Sequence, residues 1–327
     1  SCEVYGLRQN TQRLFGEQED AFHEVLEHVC KWMEGIQYAF PHEDALKRIY
    51  ELDLQLGEAV YVFNLLQNCH LAACVSLLRA HRWLEGVRYG INAGNFFIFS
   101  SSLRGFIEST ADSHDVMRYI GKTLELNYVP YTYTLLMKKS LEDEILIHDT
   151  RQFDKVLNHF IYARKLSNSF ISKKLKGMSE KEAEEYRNVH VAKEPWEYRE
   201  ILKEQGFTQI DKVYGELSET THASSSSVFL FLHRNDDGTY NLSPDRDDDK
   251  IAEFIRKYGN DMRDFLSVAV TPSLIALKTI NEFPIHGEPY KSLFPSILRL
   301  EEIADSINLD SVEAWTHAKK AIERKKL

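Results

Sequence analysis

Apolar residues recur three and four positions apart along most of the chain, which is the spacing of helices that bury one face. Segment 17–39 shows this pattern, and Pro41 is expected to stop the helix that it predicts. Segment 42–91 continues the pattern and predicts two helices that break near Gly57. Such long helical stretches are typical of a helical bundle rather than of a fold with alternating strands and helices.

The middle of the chain predicts further helices. One covers segment 96–113, and another begins near Asp115. Residues 127–133 are predicted to form a turn, because Pro130 disfavours helical backbone at Val129. A helix is expected at 141–165, and the interleaved lysines and glutamates of 172–195 predict a solvated helix or lid.

The C-terminal third combines helices with a single β candidate. Residues 195–207 predict a short helix with Pro195 in its first turn, and residues 245–283 predict a long helix with a kink at Pro272. Between them, an apolar run, the turn sequence Asn-Asp-Asp-Gly and a polar run predict a hairpin at 228–242.

These elements predict a mainly α protein, a multi-helix bundle with one small β-hairpin. The predicted domains are an N-terminal helical region (1–94), a helical bundle that includes the hairpin (95–289) and a C-terminal helical extension (290–327).

Composition narrows the range of partners. The chain has 327 residues, 43% of them hydrophobic, so it can bury a large core. Its 40 basic and 50 acidic residues give a formal charge of -10, which disfavours RNA or DNA binding over the whole surface and leaves only a local patch for such contacts. The four cysteines have no zinc-like spacing and are expected to be reduced thiols. With no apolar run of membrane length and no secretory leader pattern, we expect a cytoplasmic protein without a membrane contact.

Metal and cofactor signatures are weak in this sequence. No dinucleotide-binding, hydrolase or zinc-peptidase motif occurs. A di-iron bundle needs Glu-x-x-His twice, whereas the chain has Glu219-x-x-His222 and, with a shorter acid, Asp20-x-x-His23. Because chance yields such spacings readily in an acidic chain, we expect no metal and no cofactor.

The strongest candidate site combines two helical segments. Arg104 and Glu108 are four residues apart on one predicted helix, and Tyr214, Ser218 and His222 form a row on another. Burying these two polar rows against each other would satisfy both. One interpretation is a structural ion-pair and hydrogen-bond network that includes a buried His222. The other is a catalytic site in which His222 is the general acid or base and Arg104 holds an anion.

Other polar groups are predicted to have structural roles. The pairs His114-Asp115 and His148-Asp149 are predicted at the surface, because neighbours on a helix do not face one another. The acidic stretch 245–250 is expected to supply the first turn of the helix that follows.

Arg-x-x-x-Glu in a Phe-rich helix, then Gly-Phe, then Tyr-x-x-Leu-Ser-x-x-x-His before a hairpin resembles a group of bacterial all-helical proteins near the HEPN superfamily of toxin and antiviral-defence domains. The resemblance covers residues 95–239. It implies a bundle of four or five helices, frequent dimerisation and, in active members, metal-independent RNA cleavage by an Arg and a His four to six residues later. No Arg and His of this chain have that spacing.

The expected function is therefore that of a HEPN-like protein of a bacterial defence, toxin–antitoxin or stress system that binds a protein partner or itself. The alternative is a metal-independent ribonuclease that uses His222 and Arg104.

Overall fold

The computed structural model describes residues 11–137, 140–222 and 225–285. Of these residues, 75% are helical, and the described strands form one two-stranded antiparallel hairpin. The predicted fold class, mainly α with one small hairpin, is confirmed.

The helices of the first half follow a helical stretch at residues 11–15. They are α1 (Glu19–Trp32), α2 (Glu43–Leu52), α3 (Leu54–Asn92), α4 (Phe96–Leu126), α5 (Tyr128–Met137) and α6 (Glu144–Tyr162). The second half contains α7 (Asn168–Leu175), α8 (Glu180–His190), α9 (Pro195–Glu204), α10 (Ile210–Thr221), α11 (Ser225–Phe229), β1 (Leu232–Arg234), β2 (Tyr240–Leu242), α12 (Asp247–Tyr258) and α13 (Phe265–Asn281).

Three long helices form the centre of the bundle. α3 and α4 pack along each other, and α13 packs against both. α1 and α2 cover α3, while α6, α9 and α10 lie against α4. One hydrophobic core runs from Leu14 to Ile285 and includes residues on both sides of position 94. The predicted division into domains at that position stays a prediction, and segment 290–327 lies outside the described residues.

The turn between α3 and α4 depends on close packing at Gly90. A Cβ atom at this position would lie 2.5 Å from the backbone nitrogen of Phe99, closer than atoms approach without a clash. The Asn95 side chain accepts a hydrogen bond from the Ile98 N–H at 3.0 Å and so caps the start of α4. The small residue and the cap together allow α3 and α4 to pack immediately after a short connection.

The break between α2 and α3 lies at Asp53 rather than near Gly57 as predicted. Asp53 has extended backbone, and its side chain accepts a hydrogen bond from the Leu56 N–H at 3.0 Å. A short acidic side chain therefore starts the new helix, and Gly57 is accommodated inside its first turns.

Two predicted interruptions are absent. The predicted helix end near Ser113 is wrong, because α4 continues to Leu126 and buries Ser113 and His114 inside the bundle. The predicted turn around Pro130 is also wrong. Pro130 is the third residue of α5, and a first-turn proline gives up no hydrogen bond of the helix.

The hairpin is shorter than predicted. Val228 and Phe229, which were predicted to lie in a strand, belong to the short helix α11, and the strands pair only from Leu232 opposite Leu242 to Arg234 opposite Tyr240. The predicted long helix at 245–283 is two helices separated by residues 259–264, and Pro272 lies inside α13. The acidic first turn predicted for this region is present at Asp247, Asp248 and Asp249 of α12.

The charged segment after α6 forms two solvated helices, α7 and α8, neither of which contains a buried residue. Ser179 and Glu182 form a capping box at the start of α8. The prediction of a solvated helix is confirmed, with two helices instead of one.

Helix α3 is long and apolar enough to cross a membrane, but 72% of its most apolar 18-residue stretch is buried inside the protein. That burial is typical of a core helix. A cytoplasmic location stays a prediction. Cys30, Cys69 and Cys74 are free thiols, as expected.

Candidate functional site

Helices α4 and α10 pack together and bring the two predicted polar rows into contact. Arg104 and Glu108 lie one turn apart on α4, and Tyr214 lies on the facing side of α10. The Arg104 Nε–H donates to the Tyr214 hydroxyl at 3.0 Å and to Glu108 Oε1 at 3.4 Å. The Tyr214 hydroxyl donates to Glu108 Oε1. These three side chains therefore form a closed triangle of hydrogen bonds between the helices.

The far end of the Arg104 guanidinium extends the contact to the end of α10. Its Nη1 lies 3.3 Å from Thr221 Oγ1 and 3.3 Å from His222 Nε2. We call Arg104, Glu108, Tyr214, Thr221 and His222 the Arg104 cluster. Arg104 is the one member that contacts all the others.

The Tyr214 ring lies against two guanidinium groups. It is buried, with the Cζ atoms of Arg104 and Arg199 at 5.2 Å and 4.8 Å from its centroid. Arg199 is held in turn by Asp211, whose Oδ1 accepts from its Nε at 2.8 Å. Cation–π contact and hydrogen bonding thus both fix this ring.

Burial raises the pKa of Tyr214, and its hydrogen bond to Glu108 raises it further, while Arg104 acts in the opposite direction. Burial lowers the pKa of Arg104, but its hydrogen bond to Tyr214 and the contacts with Glu108 outweigh burial, so that the pKa is raised overall. The cluster is therefore stable with a neutral tyrosine and a charged arginine.

Four of the five predicted site residues, Arg104, Glu108, Tyr214 and His222, come together. Ser218 does not join them, because its Oγ is buried without a hydrogen-bond partner. Thr221 makes the contact with the cluster that was expected of Ser218. Sequence reasoning missed Thr221, although its spacing of seven from Tyr214 places both on one face of α10.

The expectation that His222 is buried is wrong. α10 ends at Thr221, and His222 follows with extended backbone (φ -92, ψ 155), which leaves its side chain exposed. Arg104 and Glu108 are 26% and 34% exposed, so the cluster is half-buried at the helix contact and open at its His222 end. Removing the His222 side chain should therefore lower the free energy of unfolding by less than the loss of a buried histidine would.

The contact with Arg104 also favours one tautomer of a neutral His222 ring. An arginine only donates hydrogen bonds, so Nε2 of His222 has to be the acceptor, and the proton of the neutral ring is on Nδ1. The Nε2 lone pair, which a general base would use, is already engaged. To accept a proton as a general base, Nε2 would first have to give up its contact with Arg104.

The cluster does not line a surface cleft that lies elsewhere among the described residues. That cleft, about 540 Å³, lies between α5 and the start of α6 and is lined by residues such as Asn127, Tyr133 and Asp149. None of its lining residues belongs to the Arg104 cluster.

Two further histidine groups differ from expectation. His114 is buried rather than at the surface, since it faces the core from α4. Within the part of the chain that the structure describes, the residues whose ligand atoms could hold a metal are His23, Glu27 and His81, all within 4.8 Å of one another. That group includes neither Glu219 nor His222, so the di-iron pairing considered from the sequence is not assembled.

Comparison of the chain with protein-family models, with curated proteins and with solved structures found no match. The fold and the cluster define a class of protein. It is a mainly α-helical bundle in which two polar rows join α4 to α10. The HEPN-like assignment stays a prediction.

Proposed function

We propose that this chain is a HEPN-like binding protein of a bacterial defence, toxin or stress system, and that it acts by associating with a second copy of itself. In this proposal the Arg104 cluster fastens α10 to α4 and so positions the hairpin that follows α10. The hairpin is the contact surface.

The observation that carries the proposal is the exposure of strand β2. All three of its residues are exposed, with Tyr240 at 61% and Leu242 at 74%. Alternate residues of a strand share a face, so these two apolar side chains lie side by side with Leu232 and Arg234 opposite them. Large apolar side chains grouped on an exposed strand are typical of an interaction site.

The backbone of β2 also has unused hydrogen-bonding capacity. The Ser243 N–H donates to Phe231 O, and the Asn235 N–H donates to Thr239 O. In an antiparallel ladder such bonded pairs alternate with pairs whose N–H and C=O point outward, which here are those of Tyr240 and Leu242. β2 is therefore an open edge that can accept another strand.

A second copy fits this edge better than an unrelated extended segment. On the β1 side, Arg246 already donates to Leu232 O at 2.6 Å, which occupies an outward carbonyl and leaves β2 as the freer edge. Two β2 strands pairing antiparallel about a two-fold axis would place Tyr240 of one copy beside Leu242 of the other. That arrangement is self-complementary, as a two-fold dimer requires.

Sedimentation velocity of the whole chain tests the proposal. We expect wild type to sediment as a dimer, and Tyr240→Ser/Leu242→Ser to sediment as a monomer with an unchanged helical circular dichroism spectrum. Leu242→Pro should have the same effect, because it removes an outward N–H without removing a bond of the hairpin.

The matched control is Leu52→Ser, since Leu52 is 87% exposed but lies at the end of α2. It should leave the dimer intact. A wild type that is monomeric over the whole concentration range, or a dimer that survives both hairpin variants, would contradict the proposal.

The second candidate function is a metal-independent ribonuclease, and one observation favours it. His222 is exposed and lies 3.3 Å from an arginine guanidinium, so a phosphate reaching the surface there would meet an imidazole and a cation together. A comparison of RNA cleavage by wild type and His222→Ala separates the two functions.

A further inference from the structure

Helices α1 and α3 each carry a His-x-x-x-Glu pair on the surfaces where they pack. The pairs are His23 with Glu27 on α1 and His81 with Glu85 on α3. Residues four apart lie on the same face of a helix, so each helix presents an imidazole and a carboxylate together. The two helices contact each other, which brings the pairs into one cluster.

The distances within this cluster suit a shared ligand. Ligand atoms of His23, Glu27 and His81 all lie within 4.8 Å of one another, and the two imidazole centroids are 5.8 Å apart. In a tetrahedral site with bonds of about 2.0–2.1 Å, the ligand atoms are about 3.3 Å apart. Glu27 is exposed, so its side chain can rotate to close that difference.

His81 points to a ligand independently of that geometry. It is 5% exposed, yet neither of its ring nitrogens has a hydrogen-bond partner. A buried imidazole without a partner costs free energy, and native proteins rarely leave one unsatisfied. Glu85 Oε2 lies 3.6 Å from His81 Nδ1, outside hydrogen-bond distance, so the nitrogen that we assign to a cation is Nε2.

The charge of the surroundings is compatible with a cation. Burial lowers the pKa of both His23 and His81. Two arginines lie near the cluster, but each has a carboxylate of its own. Arg82 pairs with Glu85 at 2.8 Å, and Arg88 pairs with Glu19 at 3.3 Å.

We infer that His23, Glu27 and His81 bind a divalent transition cation, Zn²⁺ first among them, with Glu85 positioning the His81 ring. Two imidazoles and one carboxylate are a donor set that zinc accepts, and three protein ligands leave one coordination position for water. A carboxylate beside the second ring nitrogen of a ligating histidine orients that ring. A cation bound there would join α1 to α3.

Zinc titration of the metal-free protein tests this site. We expect one Zn²⁺ per chain by calorimetry and a rise in melting temperature, because a cation held by two helices binds the folded state only. Mg²⁺, which prefers all-oxygen sites, should produce neither effect. His23→Gln and Glu27→Gln should each weaken Zn²⁺ binding by at least about 10-fold, and Glu85→Gln by about 10-fold.

His28→Gln is the matched control. His28 also lies on α1 and also pairs with a glutamate four residues away, Glu24, at 3.7 Å, but it is 47% exposed. It should leave Zn²⁺ binding unchanged.

Three results would overturn the inference. They are the absence of stoichiometric Zn²⁺ binding, binding that survives His23→Gln but is lost in His28→Gln, and a thiolate charge-transfer band with Co²⁺. The last would assign the ligand role to Cys30, which lies on the same face of α1, and so would contradict the donor set.

Discussion

Replacing Arg88 with Met is expected to lower the free energy of unfolding by about 3 kcal/mol, the low end of the cost of breaking a buried ion pair from one side, because Glu19 is fully buried whereas Arg88 is 25% exposed. Glu19 is 0% exposed, and Arg88 Nη1 lies 3.3 Å from its Oε1. Without the guanidinium, the carboxylate of Glu19 would stay in the core of the α1–α3 contact while losing that counter-charge. Urea unfolding of wild type and Arg88→Met measures the difference.

Arg82→Met is the control for this change, because Arg82 lies six residues earlier on the same helix and its ion pair with Glu85 is exposed, at 71% and 43%. Its effect should stay below about 1 kcal/mol. The double variant Glu19→Met/Arg88→Met should regain much of the lost stability, since it also removes the buried carboxylate. Equal losses of unfolding free energy in Arg88→Met and Arg82→Met would show that the pair with Glu19 stabilises the fold no more than the exposed pair does.

Tyr214→Phe is expected to lower the free energy of unfolding by about 1–3 kcal/mol, because it leaves a half-buried carboxylate and guanidinium without the hydroxyl that joins them. The hydroxyl donates to Glu108 and accepts from Arg104 at 3.0 Å. Tyr89→Phe is the control, since Tyr89 is 62% exposed, and it should change the unfolding curve little.

The same comparison has a pH signature. The pKa of Tyr214 is raised above its ordinary value of 10.0 in the folded protein, chiefly by burial. Its contribution to stability is therefore fully present below that value and is lost as the pH rises through the folded pKa. The difference between wild type and Tyr214→Phe should shrink in alkaline solution, and a difference that grows there would contradict the hydrogen-bonding account.

Helical periodicity predicted most elements because burial of one face is encoded locally. The ends of the helices were less predictable. A helix was predicted to end near Ser113, but α4 continues through Ser113 and His114 and buries both in the bundle. Pro130 read as a turn, but a proline in the first turn of a helix breaks no backbone bond.

The Arg104 cluster was predictable in part for a similar reason. The spacing of four residues placed Arg104 and Glu108 on one face of a helix. The second polar row, which includes Tyr214, predicted the contact between the two helices. The exposure of His222 depends on where α10 ends, which tertiary packing decides. The pairing of His23 with His81 joins residues far apart in the chain, so only the folded arrangement of α1 against α3 could reveal it.

We propose that the protein acts by binding and that His222 belongs to the hydrogen-bonded contact between α4 and α10. Incubation of wild type, His222→Ala and His233→Ala with labelled single-stranded RNA, in the absence of metal, tests it most directly. His233 is an exposed histidine of β1 and serves as the matched control. We predict that the three proteins leave the RNA equally intact and that His222→Ala melts within a few degrees of wild type, because an exposed hydrogen bond contributes about 1 kcal/mol or less. RNA cleavage by wild type and by His233→Ala that disappears in a His222→Ala protein of unchanged melting temperature would contradict the claim.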